Sequence, residues 1–162
     1  MRAPSLAFLA AALLADPGLS YAQAPRDSVV AVVNEFFRAM TARDTAALAR
    51  IQVSGSMHYA VRRAETVTYR ERSGTAWLRQ LADSRDTLVE RMWDPTVMVH
   101  GPLAILWAPY DIYRNGEFVH CGVDAFTLVR TQAGWQITAV AYTMEPTGCA
   151  PSPLGPLRAS PR

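Results

Sequence analysis

The hydrophobic pattern of this chain changes its period once, from helical spacing near the start to strand-like alternation later. Val29, Val33 and Phe36 begin a series of apolar residues at spacings of three and four. From Thr87 to Met144 the sequence reads as a succession of strands separated by turn residues. Helices followed by a long antiparallel meander predict an α+β fold, with the helices gathered on one face of an antiparallel sheet.

The predicted helices begin at polar residues that can cap them. Asp27 or Ser28 can accept hydrogen bonds at the start of the first helix, and Asp44 can do so at the start of the second. A strand pair around residues 57–69 follows, and Ser73 then precedes a third helix. That helix carries three apolar residues: Trp77, Leu78 and Leu81.

Both ends of the chain are predicted to lie outside the folded domain. Arg2 and an apolar run over 6–15, too short to cross a bilayer, are typical of a signal peptide cleaved after Ala22. From Ala150 onward, repeated prolines exclude regular hydrogen-bonded structure. We therefore expect a signal peptide over 1–22, a domain over 27–145 and a flexible proline-rich tail over 150–162. The mature protein is expected to be exported to the periplasm or the extracellular space, with no membrane span.

Composition and motifs exclude several classes of function. The net charge is +2, and every basic residue other than histidine is an arginine, which is too weak a bias for a nucleic-acid-binding surface. The sequence contains no glycine-rich phosphate loop, no Gly-x-Ser-x-Gly elbow and no metal-binding spacing of His and Cys. We therefore expect neither a metal nor a cofactor, and no nucleic-acid partner.

One turn sets the expected register of the meander. Asn115-Gly116 is typical of a two-residue hairpin loop, which would place Arg114 opposite Glu117. Continued without a break, this pairing collects five side chains on one face: Trp107, Asp111, Tyr113, His120 and Asp124. The next turn, over 131–134, would add residues of the last strand to that face: Ile137, Ala139, Ala141, Thr143 and Glu145.

The bulkier face of the meander is expected to cover the helices. That face carries seven large apolar residues: Ile105, Trp107, Phe118, Phe126, Leu128, Trp135 and Ile137. Asp111, His120 and Asp124 would then point inward beside aromatic rings, where an unpaired carboxylate is costly. Such a cluster on an apolar wall is typical of a functional site. An Asp–His pair across two strands can equally be a purely structural ion pair.

Several segments within 27–144 together carry a resemblance to a known family: Asp44, Glu90-Arg91, Trp93-Asp94-Pro95, Ala108-Pro109-Tyr110-Asp111, the run from His120 to Phe126, Gly134-Trp135 and Ala141-Tyr142-Thr143. The resemblance is to the nuclear-transport-factor-2-like superfamily, and within it to small exported bacterial members of the SnoaL-like or lumazine-binding group. It implies a curved sheet wrapped around three helices as a cone with an inner pocket, often paired into dimers through the sheet.

Three functions are compatible with this resemblance, because the same cone hosts isomerases, cyclases, dehydratases, epoxide hydrolases and binding domains. The first is the binding of a small, partly apolar molecule by aromatic side chains: Trp107, Tyr110, Tyr113, Phe118 and Tyr142. The second is cofactor-independent acid–base catalysis by Asp111, His120 and Asp124. The third is a homodimeric interaction module that uses the exposed sheet face.

The two cysteines can form a disulfide in an exported protein. Cys121 lies in a predicted strand, and Cys149 follows the last strand closely. Because Met144 is the expected neighbour of Cys121, the chain would have to double back between Pro146 and Gly148 to bring the two sulfurs together.

Overall fold

A computed structural model describes residues 17–63 and 65–157. Its helices are α1 (Pro17–Ala42), α2 (Thr45–Arg50) and α3 (Gly74–Asp83). Its strands are β1 (Gln52–Arg63), β2 (Val67–Ser73), β3 (Leu88–Met92), β4 (Thr96–His100), β5 (Leu103–Arg114), β6 (Glu117–Thr131) and β7 (Gly134–Met144). The α+β order predicted from the hydrophobic period is therefore confirmed.

The predicted signal peptide lies largely outside the described residues, which begin at residue 17. Within the described part, α1 already starts at Pro17 and not at the expected caps Asp27 or Ser28. Proline is favoured at the first position of a helix, because its fixed φ suits that position and no N–H is needed there. The predicted cleavage point after Ala22 thus falls inside α1. No described helix has the length and apolar character required to cross a membrane.

The strands form a curved, unclosed seven-stranded sheet in the order β2-β1-β7-β6-β5-β3, with β4 also paired to β5. All pairs are antiparallel except β1 with β7, which is parallel. This pair departs from the expected antiparallel sheet, and the long connection through β2–β6 makes it feasible. The N–H of Ile137 donates to the carbonyl of Ile51 at 2.8 Å, which joins the end of α2 to β7.

Helices α2 and α3 are capped as expected, and the helices pack against the sheet. The carboxylate of Asp44 accepts a hydrogen bond from the N–H of Ala47 at 2.9 Å, and Ser73 Oγ accepts one from Ala76 at 3.2 Å. The apolar stripe of α1 is buried at Val29, Val33, Phe36, Phe37 and Met40. Phe36 and Phe37 contact Phe126 of β6 edge to face, with ring centroids 5.5 and 5.8 Å apart.

The hairpin between β5 and β6 begins as predicted and then changes register. Asn115 and Gly116 have φ values of 55° and 85°, as a type I′ turn requires, and Tyr113 pairs with Phe118. The next pair is Ile112 with His120, so β6 contains one extra residue, Val119, at this point. An unbroken hairpin would pair Asp111 with His120 and Trp107 with Asp124. The β-bulge makes both of these expected pairs wrong, because one extra residue shifts every later pair.

The bulge also changes which side chains of β5 face the helices. Leu106, Ala108 and Tyr110 are buried on the inner face, the face of the sheet that also carries Phe126 and packs on α1. Trp107 is instead 53% exposed and Phe118 is 45% exposed, so their expected inward placement is wrong. We call the opposite side of the sheet, which carries Trp107, the outer face.

A second irregularity moves the residues of β7. The register shifts between Thr127 and Leu128, and Asp124 then pairs with Tyr142. The inner face accordingly carries Val140, Tyr142 and Met144 in β7. All three line a cavity between this face and the helices. Four residues of the last strand were expected beside Asp124, and this placement is wrong because a change of register moves every later residue to another position: Ala139, Ala141, Thr143 and Glu145.

Cys121 and Cys149 form the expected disulfide, with their Cα atoms 6.0 Å apart. Cys121 bridges to Glu145, and the chain doubles back at Gly148, whose φ is 79°. Beyond Cys149, the carbonyl of Gly155 accepts a hydrogen bond from Arg91 at 2.9 Å. The described part of the predicted tail contains no helix or strand, and its flexibility stays a prediction.

Candidate functional site

A cavity of about 390 Å³ is bounded by α1, α3 and the inner face of the sheet. Its apolar wall includes Phe36, Met40, Trp77, Ile112, Phe126 and Val140. Its ionisable wall residues below the opening are His58, Glu90, Tyr110, His120, Asp124 and Tyr142. The volume lies in the range of small-molecule sites, and the mixture of aromatic surface with a few polar groups is typical of them.

Asp124 is the most unusual residue of this wall. Its side chain is only 1% exposed, and its Oδ2 atom has no hydrogen-bond partner among the described residues. Its neighbours in the sheet are Ala108 on β5 and Tyr142 on β7. Because buried polar atoms almost always find a partner within the protein or in bound solvent, an unpartnered carboxylate oxygen on a cavity wall needs an explanation.

Glu90 reaches the same point of the cavity from β3. Its carboxyl is within hydrogen-bonding reach of the carboxyl of Asp124, and we call these two side chains the acid pair. Burial raises the pKa of Glu90 to about 7. Burial, together with the adjacent charge of Glu90, also raises the pKa of Asp124. Because burial and the repulsion between two adjacent carboxylates both disfavour negative charge, the acid pair retains a proton to a higher pH than an exposed carboxyl does.

Tyr110 and His120 form a hydrogen-bonded chain beside the acid pair. The hydroxyl of Tyr110 donates to the carbonyl of Thr143 at 2.6 Å, and His120 Nδ1 lies 3.1 Å from the same hydroxyl oxygen. Since the phenolic proton is used by Thr143, the Nδ1–H of His120 is the donor in the second bond. Burial lowers the pKa of His120, although a hydrogen bond to the backbone of Cys121 acts in the opposite direction, so the imidazole is neutral at pH 7.

A glycine makes this arrangement sterically feasible. Gly122 pairs with Tyr110 across β5 and β6, and a Cβ atom at that position would lie 2.1 Å from the carbonyl oxygen of Thr143. Any larger residue would therefore displace the carbonyl that anchors the hydroxyl of Tyr110.

His58 of β1 and Trp77 of α3 form an aromatic wall of the cavity. Their rings stack with centroids 4.7 Å apart, and Trp77 also stacks on Phe36 at 5.2 Å. His58 Nε2 lies 2.8 Å from the side-chain oxygen of Gln52. Burial lowers the pKa of His58 to about 4, so this histidine is uncharged at neutral pH.

The cations of the cavity are found only at its opening, as far as the described residues go. Arg70, Arg72 and Arg114 line that part and are exposed. The guanidinium of Arg72 donates to the side chain of Gln80, and Arg114 forms an ion pair with Asp86 at 3.5 Å. Glu71 is the exposed acid of this part, so the opening is net positive, whereas the interior is acidic and aromatic.

Asp111 lies on the other side of the sheet from Asp124. Its carboxylate accepts two hydrogen bonds from Arg91, the longer of them at 2.9 Å. The guanidinium of Arg91 also lies 5.0 Å from the ring centroid of Tyr113. The structure thus brings His120 and Asp124 together in the cavity, and it places Asp111 in a separate ion pair.

Only some of the predicted ligand-binding residues line the cavity. Tyr110 and Tyr142 line the cavity, whereas Trp107, Tyr113 and Phe118 do not. Sequence reasoning missed three side chains that do line it: His58, Trp77 and Glu90. For Glu90 a usable signal existed, because Leu88 and Met92 share its alternation in β3 and predict an inward face. Among the described residues no group of three or more potential metal ligands is gathered in one place.

Comparison with known proteins identifies the fold. No family model and no curated protein sequence matches the chain. A candidate dehydratase of the nuclear-transport-factor-2-like family from Streptomyces avermitilis aligns with a TM-score of 0.60 and 17% identity, covering 76% of this chain and 97% of that one. A nuclear-transport-factor-2-like protein with a cystatin-like fold from Novosphingobium aromaticivorans gives 0.61 and 16%, covering 81% and 91%.

A third solved structure agrees with these two. It is a nuclear-transport-factor-2-like protein of unknown function from Silicibacter pomeroyi, with a TM-score of 0.54 and 23% identity, covering 78% of this chain and 98% of that one. Such identities concern the fold and leave the chemistry open. The chain therefore has the nuclear-transport-factor-2-like fold that its sequence resemblance predicted.

Proposed function

We propose that this protein is an exported small-molecule-binding protein of the SnoaL-like type, which holds a small, partly apolar molecule in the inner cavity. The predicted signal peptide and the Cys121–Cys149 disulfide support export, because disulfides persist in oxidising compartments. The aromatic wall supports an apolar ligand body.

A single observation carries the proposal: the unpartnered Oδ2 atom of Asp124 on the wall of the cavity. Leaving a buried carboxylate oxygen without a donor costs about 1–3 kcal/mol or more. A purely structural role would favour an apolar residue at this position, because Ala108 and Phe126 surround it with apolar surface. A ligand that donates a hydrogen bond to Asp124 would offset this cost.

The cavity can be filled selectively to test binding. Ala60 lines the cavity, so we expect Ala60→Phe to occupy the space and abolish the binding of small aromatic and aliphatic probes in NMR titrations. Ala125 pairs with Trp107 away from the cavity, and Ala125→Phe is the matched control that should bind like the wild type. If both variants bind equally well, the ligand does not occupy this cavity. Mass spectrometry of the purified wild type under native conditions would also detect a ligand retained from the host.

A second candidate function is cofactor-independent acid–base catalysis, and the acid pair favours it. A carboxyl with a pKa of about 7, as burial gives to Glu90, can exchange protons at neutral pH. Asp124 beside it could take a proton from a carbon next to a carbonyl group, and Glu90 could return a proton to the product. The neutral His120 could act as an alternative base.

This second function is tested with candidate carbonyl and epoxide substrates. Catalysis by the acid pair requires that Asp124→Asn abolish turnover and that His120→Gln reduce it if the imidazole takes part. Turnover that neither substitution changes would exclude acid–base catalysis by these groups. Binding of the same compounds without turnover would leave the binding function as the sole activity of the cavity.

A further inference from the structure

The acid pair has no counter-ion within the described protein. The described ion pairs join Arg38 to Glu35, Arg91 to Asp111 and Arg114 to Asp86, and none of them includes Glu90 or Asp124. Two buried carboxyls without a cation are costly, because each charged form loses its hydration. A cation supplied from outside would satisfy both of them at once.

We propose that the ligand of the cavity carries a single protonated amine, which donates hydrogen bonds to the carboxyl groups of Asp124 and Glu90. This inference rests on the proposed binding function and names the chemical class of its ligand. An ammonium group has several N–H donors and no acceptor, so it can serve the free Oδ2 of Asp124 and the carboxyl of Glu90 together. Charge-assisted bonds of this kind are about twice as strong as those between neutral groups.

The aromatic lining of the cavity suits the same chemistry. Trp77, Tyr110 and Tyr142 line the same cavity as the acid pair, and an ammonium group is attracted to the face of such rings. The remaining rings and aliphatic side chains can bury an apolar ligand body. The amine therefore lies at the acidic end, and the body extends along the aromatic wall.

The basic opening restricts the ligand to one amine. The exposed part of the lining carries Arg70, Arg72 and Arg114 against one acid, Glu71, so a second ammonium group at the outer end of the ligand would meet a net positive charge. We therefore expect monoamines to bind more tightly than diamines of the same length. The same arginines would favour a ligand with a carboxylate or phosphate group if the opening, and not the acid pair, controlled recognition.

The charge of the acid pair depends on pH, and so does the expected affinity. The other titratable groups that line the cavity are His58, Arg70, Glu71, Arg72, Tyr110, Arg114, His120 and Tyr142. Burial lowers the pKa of His58 and His120 and raises those of Tyr110 and Tyr142, so these four groups stay neutral around pH 7. Because the pKa of Glu90 is raised to about 7, the acid pair gains a negative charge as the pH rises through neutrality.

The test compares matched head groups on the same apolar bodies. Phenylethyl, indolylethyl and octyl compounds are each supplied as the amine, the alcohol and the chain-matched carboxylate, and their affinities are measured by calorimetry at about pH 8. We expect each amine to bind on the order of tenfold or more tightly than its alcohol, as one additional charge-assisted hydrogen bond would give. The advantage should shrink at about pH 5.5, while the affinity of the alcohols stays constant.

Two variants assign the effect to the acid pair. Asp124→Asn and Glu90→Gln should each remove most of the preference for the amine and leave the affinity for the alcohol nearly unchanged. Glu35→Gln is the matched control, since Glu35 pairs with Arg38 on α1 and does not line the cavity. This control should bind amines as the wild type does.

The possible failures have different meanings. Alcohols that bind as tightly as amines would overturn the amine inference and leave the binding function intact. Carboxylates that bind most tightly would overturn it in favour of recognition by the basic opening. If none of the three bodies binds with any head group, the proposed binding function fails, and the amine inference fails with it.

Discussion

Asp111 and Asp124 are both buried aspartates of one sheet, with exposures of 3% and 1%, yet only Asp111 has a cationic partner among the described residues. On the outer face, Asp111 is paired with Arg91, which also donates to the carbonyl of Gly155. On the inner face, Asp124 meets a second acid, Glu90, and no cation among the described residues. The burial of a charged group therefore does not by itself indicate a functional site, and the proposal for Asp124 rests instead on its unpartnered oxygen.

Neighbouring residues of β3 produce this difference. Glu90 and Arg91 are adjacent in sequence, and side chains alternate between the faces of a strand. Glu90 therefore points toward the acid on the inner face, and Arg91 points toward the acid on the outer face. A slip of one residue in β3 would exchange their places, so the register of this short strand controls the electrostatics of both faces.

The largest effect is expected from removing the partner on the outer face. Arg91→Leu leaves the buried carboxylate of Asp111 without a counter-ion, and we expect a loss of about 3–5 kcal/mol in the free energy of unfolding. Urea unfolding at neutral pH measures this loss. Arg114→Leu is the matched control, because its ion pair with Asp86 is exposed and is worth about 1 kcal/mol or less. Equal losses in both variants would mean that the two pairs are energetically alike.

A nearly equal loss is expected from removing the disulfide that anchors the chain beside the outer face. The bridge closes a loop between residues 28 apart in sequence. Its removal should cost about 3–4 kcal/mol, because the unfolded chain becomes less constrained. The double variant Cys121→Ser/Cys149→Ser should show this loss in denaturant unfolding, and the wild type in reductant should match it. Probe binding in the cavity should not change at temperatures where the variant is folded. Two titratable thiols in the denatured, unreduced wild type would exclude the bridge.

The acid pair on the inner face is expected to make the free energy of unfolding depend on pH. The folded-state pKa of Glu90 is raised to about 7 by burial, whereas an unfolded glutamate titrates near pH 4. The folded protein therefore binds the extra proton between these values, and its stability falls as the pH rises from about 4 to about 7. The pKa of Asp124 is also raised by burial and adds to this fall, so Glu90→Gln should reduce the fall, by at most about 1.4 kcal/mol per pH unit. Unfolding curves measured across this range would contradict the prediction if wild type and variant have the same slope.

Much of the fold could be predicted from the sequence because its signals are local. The caps at Asp44 and Ser73, the turn at Asn115-Gly116 and the strand order of the meander all depend on residues close together in the chain. The disulfide could also be anticipated from the position of Cys149 after the last strand.

The candidate site could be predicted only in part, because it depends on register. The bulge residue is Val119, and valine is an ordinary strand residue. The residue type therefore gives no sign of a bulge at this position. That one extra residue moved Trp107 to the outer face and Tyr110 to the inner face. Asp124 was correctly expected to be buried. Its neighbour Glu90 was not anticipated, since Glu90 comes from a strand that was not included in the predicted register.

The smallest effect concerns self-association, which would give the outer face a role distinct from that of the cavity. Four large apolar side chains that share the outer face of β4, β5 and β6 are exposed: Met98, Leu103, Trp107 and Phe118. If the predicted homodimer forms through this surface, Trp107→Lys should weaken it about tenfold, or ~1.4 kcal/mol, in sedimentation experiments. Tyr69→Lys is the control, because Tyr69 is also exposed but lies on β2 at the far edge of the sheet. A wild type that stays monomeric at high concentration would contradict the dimer. Probe binding that survives Trp107→Lys would show that the two faces act independently, as their opposite treatment of Asp111 and Asp124 implies.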